Sequence, residues 1–134
     1  MKLQHLTLGS GSTLGAGEAV ISDAVQAGEL LFLSGRAPVD PVTLELVAEG
    51  FEEQAQAVLH DVGEVLEAAG ATWDDVVRVQ CFLARAGDFA SWNRIWSERF
   101  VSPRPARTTV VTGFAVPGML IELEVVAAVR GRDE

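Results

Sequence analysis

Two glutamates, Glu122 and Glu124, interrupt the most apolar stretch of the chain, residues 120–130. Side chains alternate along an extended strand, so Ile121, Leu123, Val125, Ala127 and Val129 form an unbroken apolar face. Both carboxylates fall on the other face, with Val126 and Ala128. A carboxylate so placed can act as general base toward a water, or it can close an ion pair. Arg107 suits either partnership. Its planar guanidinium can grip a substrate carboxylate with two parallel hydrogen bonds, or it can pair with Glu122 or Glu124 across a subunit boundary. On spacing alone the ion pair is the weightier reading, and Glu124 reads as structural.

Other chemistry-bearing residue types carry less. His5 falls in an N-terminal arm and His60 on a helix between apolar positions, so both read as structural and no metal site is expected. The single cysteine, Cys81, lies on the apolar face of a strand, where a thiol behaves as a small hydrophobe. One cysteine permits no intramolecular disulfide, which suits a reducing, cytoplasmic setting. Trp92 and Trp96 stand one helical turn apart, as packing aromatics do. No glycine-rich phosphate cradle follows a strand. Ten Lys plus Arg against nineteen Asp plus Glu give a formal charge of −9, which repels phosphate backbones. Nine of the cations are arginines scattered without a cluster, so no nucleic-acid partner is expected.

The elements that must position these residues follow from periodicity. With 134 residues, 49% hydrophobic and 22% charged, one domain is expected over residues 18–131. Residues 1–17 have no continuous apolar run; they read as a flexible arm, neither signal peptide nor membrane span. Residues 19–26 and 29–34 form β-rich runs that make a hairpin about Ala27-Gly28. Apolar positions from Phe51 to Ala69 recur at helical spacing and stop at Gly70, with Glu49, Glu52 and Glu53 favouring the positive end of the helix dipole. Residues 75–84 alternate as a strand with Val77, Val79, Cys81 and Leu83 on one face and Val76, Arg78, Gln80 and Phe82 on the other. A second helix opens at Asp88 as N-cap and aligns Phe89, Trp92, Trp96 and Phe100. Strands over 107–113 and 120–130, joined by FAVPGM, are expected to close the chain as another hairpin. The order is β-β-α-β-α-β-β, class α+β. Each helix has one apolar stripe, so both must cover one face of the sheet, leaving an apolar second face for oligomerisation.

The segments LFLSGRAPVD, EEQAQAVLHDVGEVLEAAGATWDDVVRVQCFLA, DFASWNRIW and PARTTVVTGFAVPGMLIELEVVA together resemble the RidA (YjgF) family over residues 19–130. The closing segment is the most specific: an arginine after Pro-Ala, a proline turn, and a glutamate fifteen residues on. The resemblance implies a chorismate-mutase-like fold with one mixed sheet, assembled as a homotrimer with inward-facing sheets and ligand sites between subunits. It implies hydrolysis of 2-imino acids and their enamine tautomers to 2-keto acids and ammonia, of the 2-iminobutanoate/2-iminopropanoate type, with no cofactor. Arg107 matches the arginine that holds the substrate carboxylate, and Glu122 the glutamate that directs water. Ser34 and Gly35 match residues lining the site, and Asn93 an asparagine beside it.

Two departures fall in that pocket. The family's best-studied branch has a tyrosine where this chain has Ile21, and a cysteine where it has Thr109; the chain contains no tyrosine at all. Both residues remain expected substrate contacts, with one donor fewer in the wall. The alternative is a trimeric module that binds small carboxylates or keto acids without turnover. Ribonuclease activity, known among relatives, conflicts with the charge and the absence of a basic groove.

Overall fold

A computed structural model describes residues 2–9 and 11–129. Six strands and two helices follow in the order β1 (Leu3–Leu6), β2 (Ala24–Ala27), β3 (Leu30–Leu33), α1 (Phe51–Ala68), β4 (Val76–Leu83), α2 (Phe89–Arg99), β5 (Ala106–Val111) and β6 (Ile121–Ala128). They make one mixed sheet, β1-β2-β3-β6-β4-β5, antiparallel throughout except for the parallel β4–β5 pair. The α+β class with both helices against one face agrees with the sequence.

β6 is the central strand. Its inner residues Ile121, Leu123, Val125 and Ala127 are at most 1% exposed. They pack with the α1 stripe of Ala55, Val58, Leu59, Val62, Val65 and Leu66 and with Trp92, Ile95 and Trp96 of α2. Full burial of an aliphatic side chain of this size contributes about 1.5–3 kcal/mol. α1 ends where expected, because Gly70 adopts φ +81°, the left-handed conformation in which a side chain is strained.

Four local expectations are corrected. The closing hairpin does not form: β5 lies at the sheet edge, parallel to β4, and β6 inserts between β3 and β4. The reason is that β4, α2 and β5 form a β-α-β unit, which returns the chain parallel and leaves β6 to fill the gap. A bulge between Val76 and Arg78 turns Val76 into the core and leaves Val77 exposed, the reverse of simple alternation. Asp88 makes no side-chain cap; its carboxylate is taken by Arg85 at 2.9 Å and 3.2 Å. The N-terminal arm contains β1, paired antiparallel with β2, because the backbone edge of β2 offers bonds that need no apolar pattern in the added strand. His60, for its part, faces Glu64 one turn on at 3.5 Å, an exposed contact.

The face away from the helices is uncovered. Leu30, Phe32 and Val110 are 37–45% exposed there, with Phe82, Val126 and Ala128 half-buried between them. Among the described residues no helix is long and apolar enough to cross a membrane.

Gln54, fully buried on α1, is the one polar side chain in the stripe. Its amide donates to the carbonyls of Ala48 (3.1 Å) and Gly118 (2.9 Å) and accepts from the Leu120 backbone N–H (2.7 Å), tying the helix start to the entry of β6. Gln54→Leu orphans those backbone groups. The variant should lose roughly 1–3 kcal/mol of stability per unsatisfied group, read as a lowered denaturation midpoint with an unchanged slope.

Candidate active site

The expected site residues fall into two groups on opposite sides of the sheet. Arg107 is in register with the core residue Val79, so its side chain leaves β5 toward α2. There the guanidinium lies over the Trp96 ring at 5.0 Å and the Phe89 ring at 5.7 Å. One N–H donates to Asn93 Oδ1 at 2.6 Å. Asn93 and Phe89 are four residues apart on α2 and Trp96 three further on, which puts all three on the helix surface facing β5. Among the described residues no carboxylate pairs with Arg107, so the ion pair with Glu122 or Glu124 does not form within one chain. Two faces of aromatic carbon and one amide oxygen hold the guanidinium in place and leave other N–H groups available to an anion.

Thr109 follows on the same side, in register with Cys81. Its hydroxyl and the Trp92 indole N–H are buried with the Cys81 sulfur as their polar neighbour. They flank the Cys81 thiol, which burial pushes up despite these dipoles and the charge of Arg107. A thiol held protonated in this way is no nucleophile, which agrees with the structural reading of Cys81.

Glu122 is in register with Phe82 and points to the face away from the helices. Burial raises its pKa above the ordinary glutamate value, and the neighbouring negative charge of Glu124 adds to the rise. The carboxylate lies against Gly35: a Cβ added there would stand 2.5 Å from Oε2. Any larger residue at 35 would therefore displace the Glu122 carboxylate from this position. The Ser34 hydroxyl donates to the Ser22 carbonyl at 2.7 Å, and the Ser34 N–H to the Asp23 carbonyl at 3.0 Å, so this hydroxyl's donor is already committed.

Gly35 also lines a cleft of about 280 Å³ whose walls include Ile21 and whose floor includes Arg36 and Asp61. Arg36 escaped sequence inspection. It is 8% exposed and donates to Asp61 at 2.7 Å and 3.2 Å and to Asp23 at 2.9 Å, while its backbone pairs with Leu123 in both directions. Asp23 in turn accepts from the Leu8 N–H. A lone arginine in a loop carries no sequence signal of burial; only the two distant aspartates reveal it. The structure therefore brings Ile21, Ser34, Gly35 and Glu122 into one neighbourhood and Arg107, Asn93 and Thr109 into another. Within one chain it does not join the two.

A raised pKa on Glu122 means that the folded chain binds this proton more tightly than the unfolded chain does. The native state is then favoured in acid and penalised once the group ionises. Glu122→Gln removes the penalty: the variant should melt at or above wild type at neutral pH, and the difference should fall as the pH drops through the titration of Glu122. Calorimetry across that range checks it, and an advantage that grows toward acid would contradict the stated sign.

Comparison with known proteins matches this arrangement to one family. Residues 16–129 fit the family model described as Endoribonuclease L-PSP. A RutC family protein of Pyrococcus horikoshii is 38% identical over 106 residues, covering 79% of this chain and 84% of that protein. The chloroplastic Reactive Intermediate Deaminase A of Arabidopsis thaliana is also 38% identical over 106 residues, covering 79% of this chain and 57% of that longer protein. Among solved structures, RidA from an Antarctic Psychrobacter superposes with TM-score 0.75 at 33% identity, over 90% of this chain and 99% of that one. The Rid family protein YyfA of Yersinia pestis gives 0.82 at 29% identity, over 96% of this chain and all of that one. In sequence along most of its length, and in the order and packing of its elements, the chain belongs to the RidA (YjgF) family.

Proposed function

We propose that this chain hydrolyses 2-imino acids and their enamine tautomers to 2-keto acids and ammonia, of the 2-iminobutanoate/2-iminopropanoate type, without a cofactor. Arg107 binds the substrate carboxylate through N–H groups not used by Asn93. Glu122 orients a water against the C=N carbon and accepts a proton as the water oxygen bonds to that carbon. The proton passes on to the imine nitrogen to give a carbinolamine; its hydroxyl proton then moves to the same nitrogen as the C=O forms and the C–N bond breaks, and ammonia leaves with the keto acid behind. A base with an elevated pKa suits this cycle, because it can also return the proton. Ser34, Gly35 and Ile21 shape the pocket on the Glu122 side, and Asn93 and Thr109 belong to the Arg107 side.

The observation that supports the reading is a positioned arginine that has no carboxylate partner among the described residues of its own chain. A half-buried guanidinium usually has an anionic partner, and here the substrate supplies it. Because Arg107 and Glu122 leave the sheet on opposite sides, they act together only when they come from different copies of the chain. The uncovered face with Leu30, Phe32 and Val110 supports such an assembly, a homotrimer with sheets turned inward. The relative named Reactive Intermediate Deaminase A supports the chemistry. A reducing, cytoplasmic setting suits the single Cys81 thiol.

A binding module without turnover is the second reading, favoured by one observation: with Ile21 in the wall and the Ser34 donor spent, the cleft has few free donors. RNA cleavage, which the family description names, would require a polyanion to approach a chain of charge −9.

Imines generated in place by an amino-acid oxidase decide between turnover and binding. Wild type should accelerate their hydrolysis, and Arg107→Ala should cost about 100-fold or more in kcat/KM, the loss typical of a removed charge-assisted anchor. No acceleration for any imine would leave the binding reading.

The shared site has its own signature. Arg107→Ala and Glu122→Gln chains, each inactive alone, should recover about a quarter of wild-type activity when unfolded, mixed in equal amounts and refolded, the fraction of sites with both native residues if each site draws them from two subunits. Mixtures that stay inactive would place both groups in one chain.

A further inference from the structure

Core packing explains two of the three aromatic residues on α2 and leaves the third. Trp92 and Trp96 are at most 6% exposed, whereas Phe89 is 46% exposed and keeps its ring 5.7 Å from the Arg107 guanidinium. Resting on the carboxylate-binding role given to Arg107 above, we propose that Phe89, Asn93 and Trp96 are positioning residues. Together they form an uncharged clamp that fixes the plane of this guanidinium and keeps its charge for a carboxylate ligand.

Helical spacing builds the clamp, because residues three and four apart share one surface of a helix. Trp96 lies under the guanidinium at 5.0 Å and is itself braced by Trp92 at 6.0 Å and by Phe100 at 4.2 Å between ring centroids. Asn93, between Phe89 and Trp96 in the chain, takes one guanidinium N–H at 2.6 Å. Arginine has further N–H donors in a planar fork, and a fork held still can meet a planar carboxylate with two bonds at once.

Negative charge is withheld from this clamp. The helix and its cap carry two acidic residues, and both are engaged elsewhere: Asp88 with Arg85 at 2.9 Å and Glu98 with Arg94 at 3.5 Å. The neutral amide at 93 belongs to the same arrangement. An aspartate has almost the same shape, but it would put a carboxylate at the present 2.6 Å contact, close a charge-assisted pair and compete with any ligand for the cation. The ring faces attract the guanidinium through their quadrupoles and leave its charge uncancelled.

The test compares Asn93→Ala, Asn93→Asp and Phe89→Leu with wild type, by calorimetric binding of 2-oxobutanoate and by kcat and KM on 2-iminobutanoate. Asn93→Ala should weaken binding about threefold, as for one ordinary hydrogen bond. Asn93→Asp should weaken it more, about tenfold or beyond, yet melt no lower than Asn93→Ala, because its new ion pair holds the fold while spending the cation. Phe89→Leu keeps apolar bulk without a ring face and should cost about two- to fivefold. In turnover each loss should fall on KM rather than kcat, since ground state and transition state both carry the carboxylate. A residue that served only shape would give the opposite order, with Asn93→Asp binding better than Asn93→Ala. That order, or a Phe89→Leu chain that binds as wild type does, overturns the inference while the deaminase reading stands; Phe89→Leu, at an exposed position, decides alone if Asn93→Asp does not fold. If wild type binds 2-oxobutanoate but hydrolyses no imine, the deaminase reading falls and the same ranking of affinities keeps or removes the clamp. A wild type that neither binds nor turns over removes both.

Discussion

One buried guanidinium joins segments of the fold that are far apart in sequence. Arg36 reaches Asp61 on the first helix and Asp23 before the second strand, and its backbone brackets Leu123 of the central strand. Asp23 carries the link onward to the Leu8 N–H in the N-terminal segment. Burial alone would loosen the arginine's proton, but the hydrogen bonds and charges of Asp61 and Asp23 outweigh it, so the group stays charged. Removing one partner of such a cluster typically costs roughly 3–5 kcal/mol, because the remaining charges are left buried and unpaired. Ser34 and Gly35 immediately precede this anchor, which ties the backbone beside Glu122 to the central strand.

The opposite end of the sheet solves a different problem with different means. Arg107 is held without a resident carboxylate among the described residues, its surroundings offering aromatic faces and an amide instead. These hold the plane of the guanidinium without neutralising it. Arg36, sealed by two aspartates, and Arg107, stacked on tryptophan, thus show two ways of holding an arginine within the same chain.

Features that depend on local pattern were legible in the sequence. The first helix shows its stripe and its Gly70 stop, and the central strand shows five alternating apolar residues. Features decided by distant partners were not. The position of β6 between β3 and β4 rests on pairings across the whole domain, the bulge at Val76 on a one-residue mismatch between strands, and β1 on a free backbone edge. Alternation drew attention to Glu122, but the roles expected of Arg107, Glu122 and Gly35 came from family resemblance rather than spacing. Their opposite directions from the sheet follow only from register, because each strand's alternation leaves its absolute facing open until the neighbours are known. Gln54 and Arg36 were missed because a polar residue looks solvated until its burial is seen.

Gly35 has a consequence for how such a protein can diversify. Its missing side chain is the interval between the carboxylate and the cleft, so it cannot change without moving the Glu122 carboxylate. The cleft walls at Leu14, Val39 and Val47 belong to loops that make no contribution to that interval. Mutation can therefore vary the lining of that cleft while the Glu122 carboxylate keeps its place, so relatives of this chain are free to differ there without disturbing the central strand.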